Sequence, residues 1–298
     1  MSMSGRSTEV QIHAGSYVAG FFDLLGQQDR LRNIRAIPSA DDPDGVATLR
    51  EQIRQSYGVV VDFRKAFTRF FHDFSVSNVG LTGFTEAQRA IYDDYTADDI
   101  QIQPMSDSIL VYTSVFGPSR KVSFRGIFGI LAAAAGSMLA CLAAGHPLRG
   151  GIDLGIGLVI DKSEFYGPVL ARAHTLESRI ASYPRIVVGK ELINFLHFFA
   201  NNKDTEIEHQ MARGAARSCL DLCADDVDGN TFLDFLGPGV RKHVGRDMDS
   251  RIVSAAIQRV FQYHEEAKVA EDQKLGFRYA LLSDYCQDRA ELWGIKLV

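Results

Sequence analysis

Apolar residues fall along this chain in three rhythms, and each predicts a different element. The first is an unbroken run. Tyr17-Val18-Ala19-Gly20-Phe21-Phe22 carries hardly a polar atom and stops on Asp23-Leu24-Leu25-Gly26. A short, aromatic-rich run of this kind predicts a strand over 16–23, buried on both faces. The second rhythm is helical. From Val46 to Phe74, the residues Leu49, Ile53, Val60, Phe63, Phe67, Phe70 and Phe71 recur at helix spacing. A long amphipathic helix is expected there, its aromatic stripe turned into a core or a dimer contact. The third is strand alternation. Ile100 to Met105 alternates, Ser106-Asp107-Ser108 has turn chemistry, and Ile109-Leu110-Val111-Tyr112 is strand material again. That pattern predicts a β-hairpin with an aspartate at its tip.

The remainder continues in the same way. Gln27 to Arg35 begins a helix, 38–45 is a loop, and a short helix follows Thr85. Gly126 to Gly145 holds no charged residue, but alanine contributes little to membrane insertion, so a buried helix over 121–145 is expected in place of a span. Leu148 to Ile160 predicts a strand with close-packing glycines, and Gly167-Pro168 opens a further helix. A buried strand at 183–189 and a helix at 190–200 follow. Beyond them lie a helix at 207–223, a turn and short edge strand at 225–235, and two closing helices at 249–269 and 274–293. The acidic turn Asp225 to Asn230 is a poor calcium loop, since its glycine is misplaced and no glutamate closes it. The chain divides into a flexible N-terminus (1–14), a main domain (15–202) and a mostly helical extension packed on it (203–298).

Composition narrows the class. At 46% hydrophobic and 23% charged, the chain is that of a globular protein rather than a disordered one. A net charge of −5 without a dense basic cluster argues against nucleic acid, and no signal peptide or membrane segment is read. The four cysteines lack zinc spacing and are expected to be reduced, which suits a cytoplasmic protein.

The chemistry concentrates on two carboxylates. Asp23 closes a buried strand, where a charged group needs a cation, a hydrogen-bond cage or a raised pKa. Asp107 sits at the hairpin tip. Two aspartates at the ends of neighbouring strands are a natural seat for a pair of divalent ions. Taken singly, Asp23 would cap the following helix and Asp107 would make the turn.

A buried strand ending in Phe-Phe-Asp-Leu-Leu-Gly, followed by a hairpin carrying Ser-Asp-Ser, resembles the catalytic core of class III nucleotidyl cyclases. The likeness spans about 15–200 and continues through Gly151-Ile152-Asp153-Leu154-Gly155 and the Gly167-Pro168 helix. It implies an α+β, ferredoxin-like core working as a homodimer with shared active sites. It also implies two Mg²⁺ or Mn²⁺ ions held by Asp23, Asp107 and the backbone carbonyl of Leu24. Contacts to a nucleoside triphosphate would come from Phe22, Leu24, Gln103, Met105 and Asp153, with a solvent-facing position as the equal alternative for Asp153. Two departures stand out. The aspartates are 84 positions apart (107 − 23), more than is usual in the family. Ala171 and Thr175 also occupy the places of the Asn and Arg that steady ribose and transition state. Arg172, the one cation inside that motif, is the nominated catalytic substitute, with a surface role as the alternative.

The long insertion, altered helix and helical tail resemble the pyrimidine cyclases of bacterial Pycsar anti-phage systems. That implies conversion of UTP, or next CTP, to a cyclic monophosphate read by a separate effector protein. The absence of a lysine around Gln103-Pro104-Met105 argues against a standard adenylate cyclase, since glutamine both donates and accepts. A purine cyclase with an unusual pocket and a non-catalytic nucleotide-binding module remain the alternatives.

Overall fold

The computed structural model describes residues 10–27, 36–76, 85–86, 100–117, 121–161, 164–245 and 248–296. Among them, eight strands form one mostly antiparallel sheet, with eight helices packed around it. The helices expected over 27–35 and after Thr85 fall almost wholly outside the described residues.

The first six elements alternate as strand, helix, hairpin, helix, strand. They are β1 (Ile12–Leu24), α1 (Pro43–Val76), β2 (Gln101–Met105), β3 (Ser108–Ser114), α2 (Phe124–Ala143) and β4 (Leu148–Ile160). In the sheet they lie in the order β2-β3-β1-β4, every pair antiparallel. The run expected to be buried is buried, Val18 to Phe22, because β1 lies between two strands and is covered on both faces.

One face carries the main core. Phe22 of β1 meets Phe67 of α1, their rings 5.2 Å apart, and the aromatic stripe Phe63, Phe67, Phe70, Phe71 and Phe74 is buried against α2 and the sheet. The stripe therefore serves the core. The first half of α1 has no such cover: no residue before Ser56 is buried, and Ile53 is exposed. Helix α2 is long and apolar enough to cross a membrane, but 83% of its most apolar window is buried inside the protein. Ser123 caps its first turn by accepting from the Gly126 amide.

The opposite face is covered by β5 (Glu164–Tyr166) and α3 (Pro168–Thr175), which runs on into a single π turn, Leu176–Ile180. Gly151 is what lets α3 lie so close. A Cβ there would stand 2.3 Å from the Ala173 carbonyl oxygen. A smaller apolar cluster of Phe21, Leu110, Tyr112, Phe165 and Val169 fills this side.

The chain then enters β6 (Ile186–Val188), parallel to β4, and α4 (Lys190–Ala200). Helix α5 (Ile207–Leu220) leads to β7 (Cys223–Asp225) and β8 (Thr231–Leu233). Here the expected edge strand is corrected. β8 lies inside the sheet, between β6 and β7, because Phe232 and Leu233 are apolar enough to be buried there. The C-terminal third thus extends the same sheet. After α6 (Pro238–His243), α7 (Ser250–Val269) and α8 (Gln273–Ala290) close the core, and Tyr263 donates to the Gly145 carbonyl just past α2.

Candidate functional site

The register of three strand pairs builds one transverse row. Met105 faces Ser108, Ser108 faces Asp23, and Asp23 faces Arg149. Residues directly opposed across antiparallel strands project to the same side, so four strands deliver these side chains in line. The row is on the α3 face, at the rim where β1 ends. The next row inward is Gln103, Leu110, Phe21 and Gly151.

Asp23 accepts a hydrogen bond on Oδ1 from the Ser108 hydroxyl at 2.8 Å. Its Oδ2 is 3.8 Å from Arg149 Nη2, close enough to attract but too far for a direct bond. Arg149 is engaged elsewhere. Its Nε and Nη2 both donate to Glu177 Oε1, at 2.6 and 2.5 Å. Glu177 hangs from the π turn after α3 and is only 3% exposed. Single-turn π segments often mark places where a helix is re-aimed at a site.

Asp107 reaches the same place through the hairpin. Ser106 and Asp107 form its two-residue turn, with Ser106 at a φ of 51°, and the Asp107 carbonyl accepts from the Leu24 amide at 3.3 Å. From the other side, Arg64 of α1 donates through Nη2 to the Ser106 carbonyl at 3.1 Å.

These neighbours set the electrostatics. Burial pushes the Asp23 carboxyl up to about 6; the Ser108 hydroxyl opposes this, the Asp107 and Glu177 charges add to it, and Arg149 draws it back. Asp107 and Glu177 therefore add negative charge around Asp23, and the Arg149 guanidinium facing it is already bonded to Glu177. Such a surplus suits divalent cations. Among the described residues no three His, Cys, Asp or Glu side chains converge as a ready-made metal shell. The aspartates fit a cation of the kind held by one or two carboxylates and completed by phosphate oxygens and water.

The other expected residues fare differently. Met105 is half-exposed beside Ser108, and Gln103 lies one row inward on the same face. Phe22 and Leu24 do not offer side chains to a ligand. Phe22 points to the opposite, α1 side of the sheet and is fully buried, and Leu24 is 1% exposed. Asp153 and Arg172 are joined to each other, Nε to Oδ2 at 2.7 Å. Asp153 also accepts from the Leu192 amide in the first turn of α4, and Arg172 donates to the Leu154 carbonyl. Asp153 is thus a helix cap supplied from a strand, and Arg172 a strut under α3. A Cβ at Gly155 would strike that guanidinium, 2.1 Å from Nη2. Both side chains are engaged in holding α3 and α4 to β4.

Ser108, Arg149 and Glu177 were not among the residues expected from sequence. Ser108 directly follows Asp107, and only the β1–β3 register turns it towards Asp23. Arg149 and Glu177 are 28 positions apart and meet only because α3 folds back over β4. No family model matches this chain, and no curated protein matches it either.

Proposed function

We propose that the protein is a metal-dependent nucleotidyl cyclase acting on a pyrimidine nucleoside triphosphate, UTP first and CTP next. The observation that carries this reading is the convergence of Asp23 and Asp107 at the rim of two paired strands, with Asp23 raised by burial and by its acidic neighbours. The strand order adds support. A β-α-β-β-α-β run ordered β4-β1-β3-β2, all antiparallel, is compatible with the ferredoxin-like core that this reading calls for.

Two divalent cations, Mg²⁺ or Mn²⁺, would supply charge neutralisation of the triphosphate and a lowered pKa at the attacking 3′-hydroxyl. Asp23 and Asp107 are the side chains that would hold them, with the Leu24 carbonyl beside them. The Ser108 hydroxyl holds one oxygen of Asp23, and the other lies 3.8 Å from Arg149 Nη2 without a direct bond. Glu177 keeps Arg149 in the row, at the edge of the carboxylate group. Gln103 and Met105, on the same face, would line the base in this reading. The 3′-oxygen attacks the α-phosphorus and pyrophosphate leaves, so positioning and charge stabilisation are the protein's part. The protein would act in the cytoplasm as a homodimer, with a separate effector sensing its product.

The test is turnover. Purified protein is incubated with ATP, GTP, CTP or UTP, each with Mn²⁺ or Mg²⁺, and products are identified by mass. A cyclic pyrimidine monophosphate supports the reading. A cyclic purine overturns the base assignment, and no product from any nucleotide overturns the reaction.

A further inference from the structure

The reaction proposed above needs a cation for the phosphates, and the positions in α3 that would hold one carry Ala171 and Thr175. The arginines nearby are mostly engaged. Arg172 is bonded to Asp153, Arg185 to Asp226 and Asp228, and Arg149 to Glu177. Arg64 is different. It lies on α1 next to buried Phe63, and its Nη2 reaches the carbonyl of Ser106, the residue before Asp107. Among the described residues it makes no ion pair. Its Nε is buried and has no acceptor, a condition it shares with the Nε of Arg185, whose charge is met by two carboxylates. A buried guanidinium N–H without a partner is uncommon in a folded protein and asks for an explanation.

We propose that Arg64 is the phosphate-binding cation of this site, taking the triphosphate chain of the nucleotide. This rests on the cyclase reading for the identity of the ligand. The guanidinium suits the task. It is planar, carries five donors and grips phosphate through two of them, and here one donor is fixed to the Ser106 carbonyl while no carboxylate among the described residues takes its charge. The same bond ties α1 to the turn that carries Asp107, so a phosphate held by Arg64 lies beside that carboxylate.

The experiment is titration calorimetry with magnesium tripolyphosphate, which has no base or ribose, on the whole protein and on Arg64→Gln, Arg64→Lys and Arg69→Gln. Glutamine removes the charge but is two bonds too short to reach the Ser106 carbonyl, and Arg64→Lys, which keeps the charge, separates that lost tie from the lost charge. The expected result is a loss of roughly tenfold to a hundredfold in affinity for Arg64→Gln, the range of one charge-assisted hydrogen bond. Arg64→Lys should fall between that variant and the parent protein. Arg69→Gln, an exposed arginine paired with Asp73, should bind as the parent does. If Arg64→Gln does not fold, Arg64→Met keeps the packing of the stem and carries the same expectation.

Unchanged tripolyphosphate binding in the charge-free variant overturns the assignment. The two readings fail separately. If the parent protein cyclises a nucleotide while Arg64→Gln retains its kcat and KM, only the role of Arg64 falls. If the parent binds tripolyphosphate through Arg64 but cyclises nothing, the phosphate site stands and the cyclase reading falls.

Discussion

Two clusters in this protein set arginine among acidic side chains, and they behave in opposite ways. In one, Arg185 is 1% exposed, stacked over the Tyr183 ring and bonded to Asp226, Asp228 and the Ile180 carbonyl. Its direct bond drives the Asp228 carboxyl down to about 2. In the other, burial lifts Asp23 to about 6, and among the described residues the guanidinium facing it stands 3.8 Å off and belongs to Glu177. The acidic turn at 225–230 looks from sequence like a failed calcium loop, and its charges are answered from within by Arg185. What distinguishes the Asp23 cluster is a carboxylate left short of positive charge at an open rim. A matched acid–arginine cluster holds the fold together; an unmatched one is where a cation is wanted.

The sharpest break in this comparison is removal of the aspartates themselves. Asp23→Ala or Asp107→Ala should reduce cyclic nucleotide formation by about a thousandfold or more, since a bound metal contributes several kcal/mol to the transition state and each 1.36 kcal/mol is tenfold. The circular dichroism spectrum should not change. Activity retained in either variant would remove that residue from the metal site.

The matched cluster should respond in stability, not in turnover chemistry. Arg185→Ala leaves Asp226 half-enclosed without its cation, and breaking a buried pair from one side costs about 3–5 kcal/mol. Urea denaturation should report that loss. Asp228→Asn should cost under about 1 kcal/mol, because that carboxylate is 40% exposed and solvent screens it. Equal losses from the two substitutions would mean that the cluster is not organised around Arg185.

Much of this contrast was legible in the sequence, but not the part that decides it. The run into Asp23, the hairpin tip at Asp107, the stripe on α1 and the buried alanine helix all follow from local periodicity, which survives folding when a segment is long and strongly patterned. The pairings across the sheet do not. Asp153 and Arg172 each have a respectable reading as ligands until the fold joins them, and Arg149 means little until the β1–β4 register sets it opposite Asp23. Phe22 illustrates the same limit. In a strand, neighbours project to opposite faces, so the residue next to Asp23 had to point away from it. The expected edge strand was misplaced because a three-residue strand carries too little pattern to say which neighbours it has.

A pH series sharpens the comparison without touching activity. An acid whose folded pKa lies above its ordinary value of 3.8 favours the native state while protonated. The Asp23 contribution is therefore fully present below pH 3.8 and is lost as pH rises through about 6. In chelator, the melting temperature of the parent protein should fall relative to Asp23→Asn between pH 4 and 7. Mn²⁺ at pH 7 should recover the difference for the parent and not for the variant, because the ion binds the carboxylate that pH has exposed. A flat difference across that range would show that Asp23 is not raised.

The smallest effect should come from Ser108→Ala, and it tests how the site is tuned. The Ser108 hydroxyl donates to one oxygen of Asp23, and it is the strongest influence holding that carboxyl down. Without it, Asp23 should rise further, and the ion would have to displace a more firmly held proton. Competition from the proton costs about tenfold in affinity for each unit by which the carboxyl pKa exceeds the pH. Mn²⁺ binding to Ser108→Ala, followed by calorimetry, should be about tenfold weaker at pH 6.5 and should approach the parent value at pH 8.5, where both carboxylates are ionised. A deficit that persists unchanged at the higher pH would mean that Ser108 acts by aiming the carboxylate and not by lowering its pKa. No deficit at either pH would remove it from the site.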